Sequence, residues 1–224
     1  MSYYIDLELI QLDDFCNRLQ SSYLAPSRML LREKTADRFA LLKSMGIQNL
    51  GDLVMRFKKI NKEDHDNLEQ TIGIEYLTIL LRDVNSMRPK PVKLQDFDLA
   101  SPELVDKLKK TGIQNTLQLY PLVINPQKRQ TLAESLKLNA ADLLVLTRLT
   151  DLVRIKWVGA AFACMLFNLG VDSALKASQA DPRQLYEAIK SWNIEKNVFK
   201  GHIGLNDIQI FVQAAAEIPF EIEF

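Results

Sequence analysis

Three stretches of this chain close on the same device, and that recurrence constrains the fold more than any other feature. LREKTADRFALLKSMGI (Leu31–Ile47), FDLASPELVDKLKKTGI (Phe97–Ile113) and IKWVGAAFACMLFNLGV (Ile155–Val171) come into register on Gly46, Gly112 and Gly170. The motif GIQN occupies Gly46–Asn49 and Gly112–Asn115, and GVDS at Gly170–Ser173 resembles both. Apolar positions coincide at Leu31, Phe97 and Ile155; at Phe39, Val105 and Ala163; at Leu42, Leu108 and Leu166; and at Ile47, Ile113 and Val171. Thr35, Ser101 and Gly159 also fall together, and all three residue types are accepted at a helix N-cap; Pro102 then takes the favoured first helical position. Each stretch therefore predicts a helix of two to three turns ended by a glycine at positive φ, where a Cβ would be strained. Asn49, Asn115 and Ser173 are placed to cap the next helix.

Between the glycines, apolar residues recur at helical spacing, as in Leu143, Leu144, Leu146, Leu149, Leu152 and Val153. Each copy predicts four short helices over about 60 residues, a unit too small to bury its own apolar face, so neighbouring copies should stack. The expected fold is all-α. Pro89 and Pro91 in MRPKPVKLQDF remove backbone donors and bias their predecessors to extended conformations, marking a linker. The domains expected are 1–90, holding the first repeat, and 91–224, holding the second and third, with a hairpin at 152–170. The chain ends show period two instead, at Ile5, Leu7 and Leu9 and at Ile218, Phe220, Ile222 and Phe224, which predicts short extended segments able to pair with each other.

Composition excludes several classes of function. Lys plus Arg and Asp plus Glu are 28 each, giving zero net charge, and neither half is polarised; no basic domain announces a nucleic-acid partner. No apolar run reaches the roughly 18 to 20 residues of a membrane span, and acids occupy the start, where a signal peptide would be basic. With Cys16 and Cys164 far apart and no CxxC, neither a disulfide scaffold nor a structural zinc site is indicated, and a cytoplasmic location is expected.

Ile155, Val158, Gly159, Ala163 and Leu166 match a helix-hairpin-helix motif. With DLLVLTRLTDLVRIKWVG and GLNDIQIFVQAAAEIPFEIEF, the chain resembles a bacterial family of unknown function built from helix-hairpin-helix-like, SAM-like helical repeats. The resemblance covers nearly the whole chain and is strongest from Thr131 onward. It implies an all-helical fold and supplies no activity and no catalytic residues. The DNA-binding form of the motif uses a glycine turn to bring backbone N–H groups at a helix N-terminus onto phosphate. Here Trp157 replaces the first glycine and only Gly159 remains. Asp98 and Glu103 flank the equivalent turn of the second copy, and the first copy has no glycine there.

Two functional readings follow. The first is a non-enzymatic interaction module that binds a protein partner or itself through surfaces between repeats. The second is non-specific DNA or RNA binding by the 154–166 hairpin, with Arg154, Lys156, Trp157, Gly159 and Ala160 as the candidate nucleic-acid contacts. Trp157 reads first as a residue packed between repeats and second as a base-stacking platform. Cys164, inside AFACMLF, reads as a buried structural thiol, since a reactive one needs a cation or base and exposure. His65 in KEDHDN and His202 in KGHIG have no second His or Cys nearby to make a metal site. With no G-x-G-x-x-G, P-loop or HExxH, the sequence points to no enzyme, cofactor, metal or small-molecule substrate.

Overall fold

The structure, a computed structural model, describes residues 2–59, 62–197 and 203–224, with the backbone alone for 62–64; His202 lies outside them. The described residues are helical and contain no strand. The chain divides into two compact units, Ile5–Arg88 and Pro89–Phe224, the second joined by Met1–Tyr4.

The first unit contains α1 (Leu12–Ser21), α2 (Thr35–Ser44), α3 (Leu50–Arg56), α4 (Lys62–Thr71) and α5 (Ile74–Ser86). In α1, Leu12, Phe15, Cys16 and Leu19 recur on one face, and all four are buried. They meet Phe39 and Leu42 of α2, Leu50 and Leu53 of α3, and Leu77, Leu80 and Val84 of α5 in one apolar core. Polar groups enclosed there have partners: Arg28 Nε lies 3.3 Å from Asp83 Oδ1, and the Tyr76 hydroxyl donates to Leu31 O at 3.2 Å.

The second unit runs α6 (Pro102–Lys110), α7 (Thr116–Val123), α8 (Pro126–Leu136), α9 (Ala140–Leu152), α10 (Ala160–Asn168), α11 (Ala174–Ser178), α12 (Pro182–Lys196) and α13 (Leu205–Ala215). Leu108, Leu119, Val123, Leu146, Leu149, Leu152, Ala163, Leu166 and Ala215 are among its buried apolar residues.

α2, α6 and α10 end alike. Gly46, Gly112 and Gly170 have φ of 84°, 87° and 81°. Beyond each glycine an N–H turns back to the last turn of its helix: Ile47 to Leu42 O (3.3 Å), Ile113 to Leu108 O (3.1 Å) and Val171 to Leu166 O (2.9 Å). The glycine N–H groups bond to Lys43 O, Lys109 O and Phe167 O, completing the Schellman pattern that satisfies otherwise orphaned carbonyls. Side chains of Asn49, Asn115 and Ser173 then accept from the N–H groups of Asp52, Gln118 and Lys176, starting α3, α7 and α11.

The helix starts are less uniform. Ser101 and Gly159 stand at the N-caps of α6 and α10, but α2 begins one residue early, at Thr35, with Lys34 at the cap in a left-handed conformation. The Thr35 hydroxyl is buried and donates to Leu31 O at 2.9 Å, so it is not available as a cap.

The expected pairing of extended ends does not occur. Leu7–Leu9 form a 3-10 turn, because the Asp6 carboxylate accepts from Glu8 N at 3.0 Å and curls the backbone. Residues 218–224 run beside α7 and α8 without a strand partner, fixed by Glu223 N donating to Ile124 O (2.9 Å) and Arg129 Nη1 donating to Glu223 O (2.6 Å).

Candidate functional site

The hairpin between α9 and α10 is built by a succession of tight turns. Arg154 N donates to Asp151 O, Ile155 N to Leu152 O and Val158 N to Ile155 O. Leu152, Val153, Ile155 and Val158 fill the core beneath it, as do Ala163, Cys164, Met165 and Leu166 of α10. Lys156 and Trp157 stand outside this packing. Lys156 places its ammonium 4.4 Å from the centre of the Trp157 ring, and that ring is 49% exposed.

Trp157 is therefore not enclosed between helices as a core residue would be; half of it faces solvent. Its backbone is the unusual feature: φ is +67°, a conformation natural to glycine and costly for a side chain with a Cβ. Gly159, by contrast, is extended at φ −97°, and a Cβ there would meet nothing within 4 Å. The glycine conformation of this hairpin is thus occupied by tryptophan, and the surviving glycine occupies a slot any residue could adopt. Gly159 caps α10 without a side-chain hydrogen bond and leaves open space before its first turn.

Lys156, Trp157, Gly159 and Ala160 line one cavity of about 600 Å³. Val158 and Phe162 supply apolar wall from the hairpin side, Ile208 and Phe211 from α13, and Asp207 adds a carboxylate. Phe162 and Phe211 meet edge to face, ring centres 5.5 Å apart. The volume is of the size that takes a drug-sized molecule or a few inserted side chains.

Arg154 is elsewhere. It is 2% exposed, and its guanidinium is spent inside the unit. Nε donates to Tyr3 O (3.1 Å), Nη1 to Asp151 Oδ1 (2.9 Å) and Nη2 to Pro219 O (2.9 Å), with the Tyr120 ring 4.7 Å away. The second Asp151 oxygen accepts from Ala174 N at 2.8 Å. Burial pushes the Asp151 carboxyl above the usual range, while the Ala174 N–H and Arg154 act in the opposite direction. Arg154 is a structural hub, because buried carbonyls and a carboxylate enclose its donors.

Ala174 shows what the hub replaces. Its counterparts Leu50 and Thr116 donate their N–H groups to backbone carbonyls, Ile10 O and Val92 O. At α11 a carboxylate from α9 does this, and Arg154 balances its charge. Asp151 is not among the residues singled out from sequence, although an acid at the end of an apolar helix, three residues before an arginine, was the available signal.

Cys164 is buried, and burial raises its thiol above the ordinary value against the pull of N–H groups at Leu99 and Asp98. His65 is exposed, with Nδ1 3.9 Å from Asp66 Oδ1. No cluster of three or more His, Cys, Asp or Glu able to hold a metal occurs among the described residues, and none of their helices is long and apolar enough to cross a membrane.

These features define a helical domain protein with an apolar cavity beside a strained, solvent-facing aromatic. A family model described as Domain of unknown function (DUF4332) matches residues 100–218, more than half of the chain, and the chain belongs to that family. The match falls within the second unit, a narrower span than the nearly whole-chain resemblance expected from sequence. No curated protein and no solved structure matches the chain.

Proposed function

We propose that this protein is a non-enzymatic interaction module made of tandem helix-hairpin-helix/SAM-like repeats, α2–α5, α6–α9 and α10–α13. Its docking point is the cavity between the α10 hairpin and α13. A partner protein, or a second copy, inserts an apolar side chain against Phe162, Ile208 and Phe211 while Trp157 closes over it. The observation that carries this reading is Trp157: a half-exposed aromatic held at positive φ on the rim of an apolar cavity. Exposed tryptophans beside pockets are frequent binding hot spots, and strained backbone concentrates at functional sites.

Sedimentation and affinity capture test it together. Trp157→Ala should weaken the association by about thirtyfold or more, the scale of a hot-spot truncation of about 2 kcal/mol. A monomer whose partner capture is indifferent to Trp157→Ala would overturn it.

A second reading is supported by the open start of α10. The N–H groups after Gly159, with Lys156 beside them, suit a phosphate of DNA or RNA. With Arg154 enclosed, this grip has one hairpin cation fewer than the sequence suggested. Fluorescence anisotropy at about 50 mM salt decides it: binding should fall steeply with added salt and be lost in Lys156→Glu, and no binding removes the reading.

A further inference from the structure

The second unit is completed by three residues from far away in sequence. Tyr3 is buried against Tyr120, the rings edge to face at 5.5 Å, and its hydroxyl pairs with Thr116 Oγ1 at 2.7 Å. Ser2 N donates to Glu221 Oε2 (3.1 Å), and the Tyr120 hydroxyl donates to the same oxygen (2.9 Å). Tyr3, Tyr120, Ile124 and Ile222 form a small apolar cluster of their own. A cluster of that kind can open at lower cost than the helical core, as one cooperative piece.

Beside these direct contacts, one side chain carries the connection on to the start of α11. Arg154 holds Tyr3 O with Nε, Pro219 O with Nη2 and Asp151 with Nη1, and Asp151 holds Ala174 N at the start of α11. If Tyr3 leaves, a buried guanidinium donor loses its acceptor, and the remaining contacts of Arg154 must shift to find water or another carbonyl. Arg154, Asp151 and Ala174 lie inside the family-matched residues 100–218, whereas residues 2–4 and 219–223 lie outside them.

We infer that residues 2–4 are a latch, coupled through Arg154 and Asp151 to residues 219–223 and to the start of α11, so that the three segments are seated or released together. The latch goes beyond the proposed docking role and does not depend on it.

Hydrogen exchange on the full chain tests the coupling. In Tyr3→Ala, the Glu223 amide and the Ala174 amide should both exchange at least about tenfold faster, while amides in the middle of α12 keep their rates. Tyr3→Phe keeps the ring and loses only the Thr116 contact, so it should accelerate the same amides to a smaller extent; it also serves if the alanine variant does not fold. Acceleration confined to residues 2–5 and 219–223, with Ala174 unchanged in both variants, would overturn the coupling. Uniform acceleration through α12 as well would equally overturn it, since Tyr3 would then be an ordinary core residue.

Discussion

Arg154 and Trp157 stand three positions apart on one hairpin, and the structure sends them in opposite directions. Arg154 goes inward because carbonyls at Tyr3 and Pro219 and the Asp151 carboxylate meet where its guanidinium can use several donors at once. Trp157 sits at a left-handed corner of the turn with half of its surface exposed, on the rim of the cavity it shares with α10 and α13. Its strain gives a prediction. Trp157→Gly relieves a left-handed backbone costing about 1–2 kcal/mol, offset in part by the greater freedom of glycine in the unfolded chain. Urea unfolding should show unchanged or slightly higher stability. A loss of about 3–5 kcal/mol, as for a core aromatic, would instead make Trp157 a packing residue.

At the scale of the element, the recurring helix ends dominate. Gly46, Gly112 and Gly170 all sit at positive φ where a Cβ would meet nothing within 4 Å, so their role is conformational. Gly170→Ala should therefore destabilise by about 1–2 kcal/mol from the left-handed backbone alone. Gly159→Ser is the contrasting substitution: the backbone is unstrained, the space is open, and a hydroxyl can cap α10. A gain of about 0.5 kcal/mol is expected. Thermal melts of the two variants check both, and equal losses would refute the distinction. These ends were legible in the sequence because a Schellman turn and the following cap involve residues only a few positions apart. The start of α2 was not, because the Thr35 hydroxyl is drawn to Leu31 O by the preceding 3-10 turn, Pro26–Arg32. Nor was the turn at Leu7–Leu9, where an Asp6 contact overrides an alternating pattern.

For the molecule as a whole, stability should depend on pH at the alkaline end. Burial pushes the Tyr3 phenol up to about 12, with Tyr4 adding and Thr116 and Arg154 opposing; Tyr120 and Tyr76 are raised as well, again chiefly by burial. A phenol with a raised native pKa keeps its proton more tightly when folded. Its contribution is fully present below pH about 10, the unfolded value, and is lost as pH rises through the native value. For Tyr3 the loss between pH 10 and 12 is about 3 kcal/mol. Tyrosinate absorbance should lag for the buried rings and then rise together with loss of helical signal, and Tyr3→Phe should move that transition to higher pH.

The sequence by itself determined the helical class, the three glycine-closed helix ends and the caps that follow them, since each depends on neighbours along the chain. Tertiary structure alone decided which hairpin residues face solvent. Tyr3, Asp151, Arg154, Ala174 and Pro219 meet only after folding, and a guanidinium is buried only where such acceptors converge. The candidate site changed accordingly: Lys156, Trp157, Gly159 and Ala160 share a cavity with α13, while Arg154 holds the interior of the same unit together.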